Sequence, residues 1–304
     1  MNIQYSKWNK NEMKILNNSL RNILDTKEPQ LYFPIMSLFF YIHNTPNSHR
    51  LIDFKRNNYI KEILSVVNLK DYNSNIIIKA KVINKTDKSN TEKNLFCKTI
   101  PLLDPVHYLL NNYSFTKKRN PMLPSNYNFN TIVKVNDMNN MAYIDVFFSF
   151  LVSKITESNK NPSFPIYYGS CNGLGNYKHD ISEDICEFEN HEGFHKVNKI
   201  IDIEEFYNKD ESVDSEYPSD SDSSSNDDYI ATIKKFPVIH LFIETLEGTL
   251  EDIIHNELNL ELLRSCLFQV TFALIYLQKN YYFTHNDLHI NNVMYVKTDR
   301  PFLY

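Results

Sequence analysis

No glycine occurs in the first 168 residues of this 304-residue chain, and only five occur in all, beginning at Gly169. Glycine enters the left-handed backbone region without steric cost, so tight turns and close backbone approaches normally draw on it. A chain this poor in glycine must make its turns with Asn, which tolerates the same region, and Asn is abundant here together with Lys, Ile and Tyr. A phosphate cradle built from several glycines in one loop is therefore excluded from the first half of the chain.

The length suits one large domain or two lobes and is enough to bury a sizeable core. A formal net charge of −5 argues against a nucleic-acid partner, while leaving room for a local basic patch. The four cysteines, Cys97, Cys171, Cys186 and Cys266, form no C-x-x-C pair, and the N-terminal MNIQYSKWNKNEMK has no apolar signal core. Free thiols in a reducing compartment, hence an intracellular protein, are expected. The longest apolar run, Leu31–Ile42, holds a proline and falls short of the roughly 20 residues of a membrane span, so no membrane association is expected.

Residues 1–59 read as a helical, irregular extension with apolar clusters at Met13–Ile23 and Leu31–Ile42. Strand-like runs follow at Ile76–Ile83 and Leu95–Leu103. In residues 139–157, Ile144, Phe147, Phe148, Leu151 and Ile155 recur at helical spacing, and Phe164–Tyr168 reads as another strand. Residues 202–228, rich in Ser, Asp and Glu, lack the apolar groups needed to offset ordering entropy and read as a disordered insert whose serines sit beside carboxylates. Phe236–Ile243 is a continuous apolar run of the buried-strand kind. Leu263, Leu267, Val270, Leu274 and Leu277 form one stripe on a long helix over 257–279.

The chemistry concentrates in THNDLHINNVMYV, residues 284–296. Phosphoryl transfer needs a carboxylate to accept the acceptor hydroxyl's proton and a nearby side-chain oxygen to hold Mg²⁺ against the phosphates. His285-x-Asp287-Leu288-x-x-x-Asn292 supplies both from one short loop, with a long helix running in and a short strand, Val293–Val296, running out.

That loop, with its second histidine His289, resembles the catalytic loop of serine/threonine kinases of giant DNA viruses and of the wider kinase-like group that includes aminoglycoside and choline phosphotransferases. The resemblance extends over about residues 60–304. It implies an α+β, two-lobed protein-kinase-like fold: a small β-rich lobe over 60–243 containing the insert, a hinge at 244–248, and the start of a helical lobe to 304, incomplete at the C-terminus. It implies ATP and Mg²⁺ as cofactors and a protein Ser or Thr hydroxyl as acceptor, a small-molecule hydroxyl being the variant. Asp287 would be the base, His285 a brace behind the loop, and Asn292 a Mg²⁺ ligand. Lys98, in Leu95-Phe96-Cys97-Lys98, would reach the α- and β-phosphates and pair with Asp145, one methylene shorter than the family's Glu. The backbone of Glu244 and Leu246 would hold adenine. A viral protein of this kind would act in the host cytoplasm or virion.

Three departures bear on this. The stretch equivalent to the glycine-rich loop, Leu69–Asn75, has no glycine. Asn286 stands where many kinases carry an Arg, so no activation-loop phosphate switch is implied. Lys297–Tyr304 supplies no D-F-G aspartate, which makes a catalytically dead pseudokinase or nucleotide-binding module the alternative. A third reading rests on His191-Glu192-Gly193-Phe194-His195, which matches the H-E-x-x-H pattern of zinc metalloproteases. Gly193 and the polar flanks weaken the helix that this pattern needs.

Overall fold

The computed structural model describes residues 3–5, 9–31, 52–68, 74–113, 122–125, 131–185, 188, 190–197, 201–207, 227–256 and 259–298. In chain order they form β1 (Ile3–Tyr5), α1 (Lys10–Ile23), β2 (Lys27–Gln30), β3 (Ile52–Phe54), β4 (Asn58–Asn68), β5 (Ile76–Asn84) and β6 (Ser89–Pro101). Then come α2 (Pro105–Leu109), α3 (Val133–Asn136), α4 (Met141–Glu157), β7 (Tyr167–Asp180), α5 (Glu192–Val197), β8 (Ile201–Tyr207) and β9 (Asp227–Glu244). The chain closes with β10 (Gly248–Thr249), α6 (Leu250–Asn256), α7 (Leu260–Tyr281), a 3-10 turn (Ile290–Asn292) and β11 (Met294–Tyr295). The class is mixed α+β, with a seven-stranded antiparallel sheet in the order β2-β7-β9-β6-β5-β4 and β8 paired to β9.

The strand period of two sorts the central side chains onto two faces. On β6, Leu95 and Cys97 point to one face; on β9, Phe242 joins them, and α1 covers that side with Leu16 and Leu20. Ile239 and Leu241 of β9 point to the other face, where Tyr143, Val146 and Phe150 of α4 and Tyr108 and Leu109 of α2 complete a second core. Lys98 follows Cys97 and pairs in register with Leu241, so alternation places it on the α4 side.

Each covering helix is pinned as well as packed. Asn9 caps α1 by accepting from Asn11 N at 2.8 Å. Ser19 Oγ donates to Leu16 O and accepts from Ile63 N of β4 at 3.1 Å, tying α1 to the sheet by a buried bond. Buried Asn140 caps α4 through Ala142 N and donates to both Leu102 O and Lys134 O at 2.9 Å. That amide fixes the start of α4 relative to the end of β6, and so fixes what the next turn of the helix meets.

Several sequence expectations change. Of residues 1–59, the described residues 9–31 pack onto the sheet: Leu16, Leu20 and Leu31 belong to its core and β2 pairs with β7. The insert expected over 202–228 is trimmed at both ends: β8 pairs with the first part of β9, from Ile201↔Ile233 to Tyr207↔Asp227. Backbone pairing supplies there what an acidic composition does not advertise. Residues 208–226 lie outside the described residues, as do 32–42 of the N-terminal apolar run. Helix α4 buries two faces rather than one stripe: Tyr143, Val146 and Phe150 meet the sheet, while Phe148, Val152 and Ile155 meet α7. Ile144 is left exposed.

On α7 only Ala273 and Leu277 of the C-terminal half are buried, and the predicted stripe residue Leu267 is 52% exposed. This helix is long and apolar enough to cross a membrane by length and composition, with a mean hydropathy of 1.5 in its best window. Asn and Asp make only part of the left-handed turns. Asp25, Asn111, Asn159 and Asn286 do so, but among the described residues Glu28, Lys88, Lys235 and Tyr282 adopt positive φ as well.

Candidate functional site

Lys98 Nζ lies 2.7 Å from Asp145 Oδ2, joining β6 to α4 across 47 residues of sequence. The shorter acid still closes the pair. Both side chains keep access to solvent, at 42% and 35% exposure, so the pair is open to an incoming anionic group. Asn75, just before β5, accepts from Thr99 N at 3.0 Å, and Ser74 Oγ is bonded to Lys178 in β7. These bonds hold the end of the 69–75 segment beside Lys98; residues 69–73 lie outside the described residues.

One turn after Asp145, Phe148 stacks on Phe283, with ring centroids 4.6 Å apart and planes at 15°. Three residues along a helix rise only about 4.5 Å, so one short piece of α4 holds both the strand lysine and the entry to the 284–292 loop. Phe283 in turn meets the His285 ring edge-on at 6.0 Å. His285 Nδ1 is buried with no hydrogen-bond partner among the described residues, which fits a ring that acts here by packing.

The loop is shaped by its own backbone. Tyr282, in the left-handed region, ends α7 by donating its amide to Gln278 O. Asn286 is also left-handed, and Asp287 N then donates to His285 O at 2.8 Å. This tight bend turns the Asp287 side chain outward, 79% exposed. Asn292 Nδ2 reaches back to Asp287 O at 2.9 Å and to Asp287 Oδ2 at 3.0 Å. The two carboxylate oxygens are thereby distinguished: Oδ2 is held by the amide, and Oδ1 faces His289 Nε2 at 3.9 Å. With Nδ2 so used, Oδ1 is the atom through which Asn292 could ligate a cation. Among the described residues no three His, Cys, Asp or Glu side chains converge as a metal cluster.

After the loop, β11 pairs with β10, Glu247 N donates to Tyr295 O, and Leu250 N donates to Val293 O. The segment leaving the sheet is thus stitched to the strand leaving the loop. At the expected hinge, Glu244 N donates to Ile166 O and its carboxylate accepts from Ile166 N, so its amide and side chain are engaged at the end of β9. Leu246 lies just past that strand.

Part of the H-E-x-x-H segment is engaged in local packing. His191 precedes α5 and accepts from Gly193 N through Nδ1 at 3.0 Å, and Phe194 fills the core against Phe188. A Cβ on Gly193 would stand 2.1 Å from Leu110 O, so the glycine there answers to packing. The side chain of His195 lies outside the described residues.

Motif spacing singled out Asp287 and Asn292, and the family resemblance singled out Lys98 and Asp145; neither gave His289 a role or pointed to the Phe148–Phe283 stack. Comparisons with protein-family models, with curated proteins and with solved structures return no match.

Proposed function

We propose that this chain is an ATP-dependent phosphotransferase of the two-lobed, protein-kinase-like kind, acting on a hydroxyl, with a protein Ser or Thr as the acceptor. The observation that carries the reading is the Lys98–Asp145 pair at 2.7 Å, set on the same turn of α4 that stacks against the Asp287 loop. A lysine and an acid brought from strand and helix make a fixed cation for phosphate oxygens. The loop adds a solvent-facing carboxylate with one oxygen uncommitted.

In this reading Asp287 accepts the hydroxyl proton, Lys98 holds the α- and β-phosphates, and Asp145 keeps Lys98 in place. His285 braces the loop through Phe283, and the Leu246 backbone contacts the base. Mg²⁺, which Asn292 would hold through Oδ1, neutralises charge on the phosphates when bound. The roles of the chain's own groups are positioning and proton acceptance.

The test is binding of ATP with Mg²⁺, followed by thermal unfolding and by a fluorescent ATP analogue. At a hundred times Kd, the nucleotide should stabilise the fold by about 2.7 kcal/mol. Lys98→Ala should abolish most of that shift. A protein whose unfolding and fluorescence ignore ATP·Mg²⁺ at millimolar concentration is not a phosphotransferase.

A further inference from the structure

The side chain of His289 is oriented by its own backbone turn. Its Nδ1 accepts from Asn291 N at 3.3 Å at the start of the 3-10 turn. A ring nitrogen that accepts carries no proton, so the ring's hydrogen sits on Nε2. Nε2 lies 3.9 Å from Asp287 Oδ1, too far for a hydrogen bond between them. Asp287 Oδ2 is already held by Asn292 at 3.0 Å. A donor and an acceptor therefore lie close together with no bond between them.

An oxygen set to one side of the line between Nε2 and Oδ1 can reach both atoms across that 3.9 Å separation. An oxygen lying about 2.7 Å from Oδ1 and about 2.9 Å from Nε2 would subtend roughly 90° at that atom, close to what a hydroxyl makes when it donates once and accepts once. We propose that His289 and Asp287 together form the acceptor slot, in which the substrate hydroxyl accepts from His289 Nε2–H and donates to Asp287 Oδ1. This rests on the phosphotransferase reading above and adds to it a positioning residue. An alcohol fits the slot because its oxygen both accepts and donates. A protonated amine has no lone pair for His289, and a carboxylate has no proton for Asp287.

In the transfer, the acceptor oxygen forms a bond to the γ-phosphorus of a nucleoside triphosphate. The bond from that phosphorus to the β,γ-bridging oxygen breaks, its electron pair leaving with the nucleoside diphosphate, and the hydroxyl proton passes to Oδ1. His289 keeps its proton throughout and fixes the direction of the oxygen lone pair.

The test uses the full chain with ATP·Mg²⁺, reading ATP hydrolysis, in which water occupies the slot, and labelling of a mixed Ser/Thr peptide library. His289→Asn is the central variant, because Asn can still accept from Asn291 N but carries no donor at the Nε2 position. His289→Gln extends an amide N–H toward that position. His289→Asn should lower kcat in both assays by about tenfold or more while leaving KM for ATP within about twofold. His289→Gln should recover a substantial part of the loss, and both variants should melt with the parent protein. Wild-type turnover with His289→Asn at the parental kcat overturns the slot and leaves the phosphotransferase reading standing, as does His289→Gln no better than His289→Asn. A wild-type protein that neither binds nor turns over ATP overturns both.

Discussion

Phe148 and Phe283 lie face to face, 4.6 Å between centroids, and theirs is the stacked-ring contact that ties the sheet-covering helix α4 to the 284–292 loop. Val152, Ile155 and Leu277 surround them as a third, small core between α4 and α7. Truncating Phe283 to Ala removes a partly buried ring and its stacking partner's contact. We expect a loss of about 1–3 kcal/mol in urea unfolding. Amide exchange should quicken over residues 284–292 and remain unchanged in β5 and β6. Equal acceleration in the central strands would show that the stack serves the whole fold rather than the loop.

The Lys98–Asp145 pair should behave in the opposite way. With both side chains over a third exposed, it contributes little to stability, about 0–1 kcal/mol. Lys98→Ala and Asp145→Asn should leave the urea midpoint nearly unchanged, while each weakens ATP·Mg²⁺ binding about tenfold or more. Asp145→Glu should retain most of the affinity. A large stability loss with unchanged nucleotide binding would mark the pair as structural.

What the sequence made legible follows from which signals are local. The apolar periods predicted α4 and α7, and the polar loop between α7 and β11 exposed its own chemistry through Asp287 and Asn292. Lys98 and Asp145 were singled out only by the family resemblance, and the structure brings them to 2.7 Å. The Phe148–Phe283 stack has no such signature, since both rings look like ordinary apolar residues of their own segments. Strand β8 hides inside an acidic stretch because its pairing with β9 uses backbone groups that composition does not report. Joining α1 and β2 to the main core depends on contacts such as Ser19–Ile63, 44 residues apart, which no window of the sequence contains.

Gly193 gives a test of the H-E-x-x-H segment. Its added Cβ would meet the Leu110 carbonyl oxygen at 2.1 Å and the carbonyl carbon at 2.8 Å, both backbone atoms that cannot step aside cheaply. Gly193→Ala should therefore cost at least about 1–3 kcal/mol, although Ala is the better helix former. Elemental analysis of the purified parent should find no stoichiometric zinc. A stabilised Gly193→Ala, or one zinc per chain, would return the segment to a metal role.

His240 sets a pH limit on the fold. Its ring lies inside the sheet, with Nε2 3.0 Å from Thr26 Oγ1 and Nδ1 3.2 Å from Thr99 Oγ1. Cys97 and Phe242 lie beside it. No carboxylate is among these neighbours to favour the imidazolium, and burial brings the pKa down from 6.5 to about 4. Burial also pushes the Cys97 thiol up to about 12, so the neighbouring sulfur stays protonated through the acid range. Between pH 6.5 and about 4 the unfolded chain binds a proton at this residue and the native chain does not. Stability therefore rises with pH across that window. The contribution is fully present above 6.5 and is lost as pH falls toward 4, to a total of about 3 kcal/mol. Urea unfolding of the parent and of His240→Gln, at intervals from pH 7.5 to 4, isolates this residue from the carboxylates that both proteins share. The parent should lose most of about 3 kcal/mol more than the variant over that range, and parallel pH profiles would mean that the ring is protonated in the native state without cost.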